Sequence, residues 1–367
     1  MKIVQLLPSL EFGGQERLAL DLAVQQKMGG DQPYLYCTHR AGPLAKEAEA
    51  AGIPVRVFAK KDGFSPKLIH QIVASLWRDR PDVVHAHNPL VLPYAVAASS
   101  LAPIGVLVHT RHGNPTDDTR KERIWKLFCR WTDKVILVSN ALRSRYIAAH
   151  ALSRENTQVI YNGINLGRFL ARPARPNGNP RHFRFGTLGR LSPEKDQITL
   201  IRAFASVAAV WPEAELHIMG DGPCRAAIME AALALGIAKR VRFQPAATDV
   251  SGLLATLDLF VLSSTSEGLP LVLQEAMATG LPIVSTRLPG LTELFPEGEV
   301  AWFCRPGDPE DLGRLMLEVA RRPDLATAGQ GARRLSLRFA IEETWRQYRL
   351  LFEELLDKGR SSAVPAA

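Results

Sequence analysis

Two glutamates and two cations carry most of the chemistry open to this chain. Glu267 and Glu275 stand in LSSTSEGLPLVLQEAMATGLPIVST, separated by seven residues. Ser263 to Gly268 reads as a polar loop and Leu269 to Ala278 as a helix. The spacing then turns both carboxylates to one ligand, where they can accept hydrogen bonds from sugar hydroxyls on either side of a diphosphate. Helix glutamates are usually solvated, but Glu275 is flanked by Val272, Leu273, Ala276 and Met277, where a solvated charge is less expected. Arg190 and Lys195, in GRLSPEK, follow the run FRFGTL and precede a helix. Two cations so placed can bracket a diphosphate and stabilise the charge that grows as it leaves; the alternative is a pair of solvated surface cations.

Glycine turns form a second group. Gly13 and Gly14 in LEFGGQER, and Gly220 and Gly222 in MGDGP, sit between a strand and a helix, where backbone N–H groups can meet a phosphate at the positive helix end. Each serves equally well as a structural turn. Histidines recur at strand ends: His85, His87, His109 and His112. Period two puts His85 and His87 on one sheet face. His112 is favoured for the site, His87 is a candidate for lining an acceptor cleft, and the other two read as structural. Asn162 and Gly163 in VIYNGIN suit a hinge turn. No nucleophile is placed against a base, and Asp117 and Asp118 are adjacent rather than an Asp-x-Asp pair. Neither a metal nor a cofactor is expected.

The elements that must position these residues alternate regularly. Short apolar runs (KIVQLL, PYLYC, VRVF, DVVHAH, GVLVHT, KVILVS, TQVIYN) are separated by helical patterns such as Glu16 to Met28 and Gly42 to Ala51, the signature of βαβ units and a parallel sheet. The aperiodic ARPARPNGNPRH at 171–182 reads as a linker. A second alternation follows in FRFGTLGR, AELHIMGDG, RVRFQP, LDLFVLSS and LPIVST. The expected fold is α/β with two Rossmann-like domains, residues 1–170 and 183–338. The last helix, Ile341 to Asp357, carries Trp345, Tyr348, Leu351, Phe352 and Leu355 as a stripe that must cover something, and the tail SSAVPAA should fray. RKERIWKLFCRW, residues 120–131, predicts a basic amphipathic helix with Ile124, Leu127, Phe128 and Trp131 on one face. It either packs that stripe on the sheet, as α/β helices do, or lies on an anionic membrane.

Composition bounds the rest. The 367 residues suit two domains, and 46% hydrophobic with 22% charged residues is ordinary globular usage. Cys37, Cys129, Cys224 and Cys304 are scattered, which fits a reducing, cytoplasmic setting. No signal-peptide pattern or membrane-spanning run is visible. Residues 1–165 hold 21 Lys and Arg against 14 Asp and Glu, while the remainder holds 24 against 23, so the first half expects an anionic partner. No helix-turn-helix, zinc or base-stacking motif accompanies the charge, which argues against nucleic acid.

FGGQER, PDVVHAHN, VHTRHG, VIYNGIN, GRLSPEKD, MGDGP and SEGLPLVLQEAMATGLPIV, in this order over nearly the whole chain, resemble the retaining glycosyltransferases of family four, which have the GT-B fold. The resemblance implies two domains facing a central cleft, with acceptor bound by the first and nucleotide-sugar donor by the second. It also implies that the segment 339–367 crosses back onto the first domain. By the same resemblance Arg190 and Lys195 bind the diphosphate, with Gly14 offering its backbone N–H. Glu267 contacts the donor sugar, Glu275 the ribose hydroxyls, and His112 lies beside the sugar. Gly189, Gly220, Gly222, Gly268 and Leu269 complete the donor set, while Glu16 and His87 are acceptor-side candidates. The sequence departs from the family at LPGLTE, where Pro289 stands in place of a glycine and offers no N–H.

The implied reaction is metal-independent transfer of a hexose-type sugar from a UDP-sugar, or a GDP-sugar, to a glycan or lipid-linked acceptor of cell-envelope polysaccharide or lipopolysaccharide. The expected location is the cytoplasm or the inner face of its membrane. A nucleotide-sugar epimerase or sugar phosphorylase of the same architecture, and a basic nucleic-acid-binding protein, are the rival readings.

Overall fold

The computed structural model describes residues 1–114, 118–149, 151–171, 182–245 and 249–362. The expected linker lies outside these residues except at Ala171 and His182, as does the tail from Ala363 onward. The chain divides into two units, Met1–Gly163 with Ile341–Ala367, and Ile164–Ala340. Asn162 and Gly163 therefore close the first continuous stretch.

In the first unit seven strands pair in parallel: β1 (Lys2–Ser9), β2 (Gln32–Arg40), β3 (Val55–Val57), β4 (Val83–Ala86), β5 (Val106–Arg111), β6 (Lys134–Leu137) and β7 (Thr157–Val159). Their order is β3-β2-β1-β4-β5-β6-β7. Ile3, Val4, Leu6 and Leu7 are all buried, as expected of a sheet covered on both faces. The order reverses between β1 and β4. At such a switch point the adjoining connections run to opposite sides of the sheet and leave a crevice beyond the carboxyl ends of the strands.

The second unit repeats the plan with β8 (Arg184–Leu188), β9 (Glu215–Met219), β10 (Val241–Gln244), β11 (Leu259–Leu262), β12 (Ile283–Thr286) and β13 (Ala301–Cys304), in the order β10-β9-β8-β11-β12-β13. Its switch point lies between β8 and β11. Phe183, Phe185 and Phe204 anchor the core, with Trp211 packed against the first two rings.

The last helix, Ile341–Ser362, belongs to the first unit and packs beside the helix Gly14–Met28. Trp345, Tyr348, Leu351 and Phe352 are buried and Leu355 is half-buried, so the stripe seen in the sequence is covered except at its far end. The Tyr348 hydroxyl lies 2.9 Å from Thr110 Oγ1 on β5, and Phe352 meets the edge of His85 at 5.8 Å between centroids.

One expectation fails. The segment 120–131 forms the helix Thr119–Phe128 and a 3₁₀ turn, Cys129–Trp131, but its apolar stripe is not packed on the sheet. The buried residues are Glu122, Trp125 and Cys129, whereas Ile124, Leu127 and Trp131 are exposed. The reason is electrostatic. Arg111 at the end of β5 is buried, and Glu122 reaches inward to meet its Nη2 at 2.5 Å. A charge withdrawn from water is tolerated only when paired and hydrogen-bonded, and that requirement outweighs the burial of a few aliphatic side chains.

Because removing one partner strands the other, Glu122→Ala is expected to lower unfolding stability by about 3–5 kcal/mol. Urea unfolding followed by circular dichroism measures it, and a loss below about 1 kcal/mol, the ordinary worth of an exposed pair, would contradict the assignment.

Candidate functional site

In the second unit the loops after β8, β9 and β11 are tied together by backbone bonds. The Leu191 N–H donates to the Asp221 carbonyl (3.0 Å), Cys224 N–H to Leu191 (3.0 Å) and Thr265 N–H to Glu194 (2.9 Å). Ser263 Oγ donates to the Lys195 carbonyl at 2.9 Å. This closeness demands two of the glycines. Gly220 has φ +141°, and a Cβ there would collide with the Gly189 carbonyl oxygen; at Gly222 it would collide with that of Leu191. Loop packing alone thus accounts for both glycines, whose effect is to hold the segment carrying Arg190 and Lys195.

That segment ends in a 3₁₀ turn, Pro193–Lys195, and the structure brings its lysine to Glu267. Lys195 Nζ donates to Glu267 Oε1 at 2.5 Å, and Ser264 Oγ donates to the same oxygen at 2.7 Å. The two charged side chains are only 21% and 11% exposed. Arg190 is exposed, and its guanidinium makes no hydrogen bond or ion pair among the described residues. Glu267 precedes the helix Leu271–Thr279, which starts after the extended Pro270, so the helical-face argument for the glutamate pair does not apply. Glu275 alone is on that helix and is half-buried, while Gly268 and Leu269 are buried in the connecting loop. Pro289 opens the short helix Pro289–Thr292, a position where its missing N–H costs no intrahelical bond.

In the first unit the histidines gather at the carboxyl ends of β1, β4 and β5. His87 is completely buried, which removes it from any acceptor-lining role. Its Nε2 is 2.5 Å from Gln5 Oε1 and its Nδ1 is 3.0 Å from His112 Nε2. An amide oxygen only accepts, so His87 Nε2 carries the hydrogen. The neutral ring then accepts at Nδ1 from His112 Nε2, and the neutral His112 ring keeps an unprotonated Nδ1. His112 is half-buried, yet the atoms round its ring exclude enough water that burial pushes its pKa down to about 3, against an opposing hydrogen bond with Asn162.

His85 lies 2.7 Å from Thr110 Oγ1, with its ring 3.9 Å from that of His87. His109 accepts from Trp125 Nε1 at 2.8 Å and lies 2.9 Å from the Ala86 carbonyl. Burial lowers all three imidazoles: His85 and His87 fall well below their ordinary value and His109 to about 3. Arg111 donates to the carbonyls of Gly113 and Asn114, fixing the loop that begins with His112. Gly14 opens its helix on the surface and Glu16 is half-buried within the first turn, where Asn88 binds Gln15 at 3.0 Å.

Sequence reasoning missed Gln5, Ser264 and the Arg111–Glu122 pair. Only Gln5 left a signal, as the one polar residue within the apolar run Ile3 to Leu7. Among the described residues no group of three or more His, Cys, Asp or Glu side chains is placed to hold a metal ion, and no helix is long and apolar enough to cross a membrane.

Residues 12–168 match the family model Glycosyltransferase Family 4, and residues 182–322 match Glycosyl transferases group 1. The chain is 28% identical over 331 residues to the sulfoquinovosyl transferase SQD2 of Arabidopsis thaliana, covering 83% of this chain and 63% of the plant protein. It is 27% identical over 235 residues to the UDP-Gal:alpha-D-GlcNAc-diphosphoundecaprenol alpha-1,3-galactosyltransferase of Escherichia coli, covering 59% and 60%. It thus spans less than two thirds of either relative. Among solved structures, HepE of Anabaena in complex with UDP and glucose superposes with a TM-score of 0.86 at 25% identity, over 96% of this chain and 99% of that one.

Two outcomes are expected of the histidine cluster. In ¹⁵N NMR, His112 should appear as the neutral tautomer protonated at Nε2 through the neutral range, and a hydrogen on Nδ1 would refute the Gln5–His87 relay. The unfolded chain takes up a proton on each histidine below about pH 6.5 while buried His85, His87 and His109 do not. The unfolded state then binds more protons, and stability falls as pH drops, by ~2 kcal/mol per histidine at about pH 5. Melting temperatures that stay level from pH 7 to 5 would contradict this.

Proposed function

From a chain that belongs to glycosyltransferase family 4, we propose a retaining transferase that moves a hexose-type sugar from a UDP-sugar to a glycan or lipid-linked acceptor of the cell envelope. That it is a glycosyltransferase using a nucleotide-sugar donor rests on both family models and on the relatives. The observation that carries the donor reading is the Lys195–Glu267 pair beyond the carboxyl ends of β8 and β11. Nucleotides bind open parallel sheets at such a switch point.

On this reading Lys195 leaves Glu267 for the donor diphosphate, which Arg190 meets from its exposed position. Glu267 then accepts from hydroxyls of the donor sugar and Glu275 from those of the ribose. Gly189, Gly220, Gly222, Gly268 and Leu269 shape the loops round these groups. In the first unit Gly14 presents the positive end of its helix, Glu16 serves the acceptor, and His112 offers an unprotonated Nδ1 to a sugar hydroxyl.

The bond from the anomeric carbon to the diphosphate oxygen breaks while a bond to the acceptor oxygen forms on the same face. The acceptor proton passes to an oxygen of the departing diphosphate, so the enzyme supplies positioning and charge stabilisation and no covalent intermediate. No metal takes part; addition of a chelator should leave the rate unchanged.

UDP preference draws on HepE, which was solved with UDP and glucose, and on the Escherichia coli relative, named for UDP-Gal and a diphosphoundecaprenol acceptor.

A thermal-shift screen against UDP, GDP, ADP and their sugars tests the donor. Selective stabilisation of about 2.7 kcal/mol is expected at a hundredfold excess over Kd, and Glu275→Ala should abolish it. Arg190→Ala and Lys195→Ala should each lower turnover by about 10²–10³-fold. Near-full turnover in either variant, or sugar conversion that needs no acceptor or needs inorganic phosphate, would overturn the reading.

A further inference from the structure

The helix Thr119–Phe128 and the turn Cys129–Trp131 present to solvent a face that an α/β unit ordinarily covers. At 3.6 residues per turn, Ile124 and Leu127 project away from Glu122, Trp125 and Cys129, and half-buried Phe128 borders that outward face. The inward three are buried, whereas Ile124 is 41% exposed, Leu127 47% and Trp131 56%. Phe128 lies 5.8 Å from Trp131 between ring centroids, so the apolar residues form one ridge.

Cations flank this ridge. Arg120, Lys121, Arg123 and Arg130 are exposed and Lys126 half-exposed. The acids of the segment are turned elsewhere: Asp118 caps the helix and pairs with Lys121 at 3.0 Å, and Glu122 is buried against Arg111. The side chains of Arg120, Arg123, Lys126 and Arg130 make no hydrogen bond or ion pair among the described residues.

We infer that this ridge docks the protein on an anionic lipid bilayer, with Ile124, Leu127, Phe128 and Trp131 entering the boundary between headgroups and acyl chains and the four cations meeting lipid phosphates. The composition of the face decides between a bilayer and a protein partner. Protein interfaces deplete lysine and keep charge away from an apolar centre, whereas a helix lying on an anionic surface combines Trp, Phe and Leu with flanking Lys and Arg. Tryptophan suits this depth because its ring is apolar and its N–H is polar. The face needs no rearrangement to act, because the inward Arg111–Glu122 pair already fixes the rotation of the helix. The inference is independent of the donor reading.

The test is co-sedimentation of the full chain with vesicles of phosphatidylcholine alone and of phosphatidylcholine mixed with phosphatidylglycerol. Binding is expected only to the mixed vesicles and should weaken as salt is raised. The paired variants R123E/R130E and L127Q/W131S should each lower partitioning about tenfold or more. All four positions are exposed, so melting temperature and the response to UDP should stay as in the parent protein. If a variant is less stable, quenching of the parent protein's tryptophan fluorescence by brominated anionic lipid gives the same answer without substitution. Failure of the parent protein to bind anionic vesicles, equal binding to neutral ones, or undiminished binding by both variants would overturn the proposal. So would self-association that ignores vesicles and is lost in L127Q/W131S, which would assign the ridge to a second copy of the chain.

Discussion

A guanidinium buried at the end of β5 governs much of the first unit. Arg111 is withdrawn from water, and the cost of leaving it unpaired is several kcal/mol. Glu122 therefore faces inward, and the helix that carries it has no freedom to rotate. Trp125 comes in on the same face, 4.8 Å from the guanidinium, and donates to His109. The remaining guanidinium hydrogens shape the loop that starts at His112. One pairing thus brings Trp125 to His109, fixes the loop that begins with His112 and turns the apolar ridge outward.

The second unit secures its loops by a different device. Here backbone meets backbone, with glycines at the contacts, and the charged groups are left with some freedom. Lys195 and Glu267 neutralise each other close to the surface and can exchange partners. Arg111 and Glu122, bound on all sides, cannot. A permanent pair suits a scaffold, and an exchangeable one suits a place where an anion with hydroxyl groups is to be received.

Much of this was legible in the sequence. The apolar runs marked twelve of the thirteen parallel strands among the described residues, in two groups, because sheets covered on both faces need continuous burial; the short edge strand Ala301–Cys304 went unmarked. The loops after them held the polar residues because ligand-facing groups collect at carboxyl ends. What stayed hidden depended on partners distant in sequence. Nothing local marks Arg111 and Glu122 as a buried pair, and helical periodicity locates a stripe without saying which way it faces. His87 looked accessible because it ends a strand; Gln5, from a strand far away in sequence, caps it. The spacing of Glu267 and Glu275 suggested that both face one ligand from a helix beginning at Leu269, but Pro270 is extended and delays the helix start until Leu271.

The first unit is discontinuous: its sheet is complete by Val159, but the helix that covers His85 and Thr110 lies beyond residue 340. On the ribosome, the sheet emerges well before its cover, and the whole second unit, an unbroken stretch, is synthesised in between. Domains fold as units during synthesis. The later-made unit can therefore reach its native state while the earlier-made one still waits with Thr110 and the neighbouring rings open to water. A nascent chain stalled near residue 340 would hold one finished lobe and one unfinished lobe, and final closure of the older lobe falls to residues translated after the whole of the younger one.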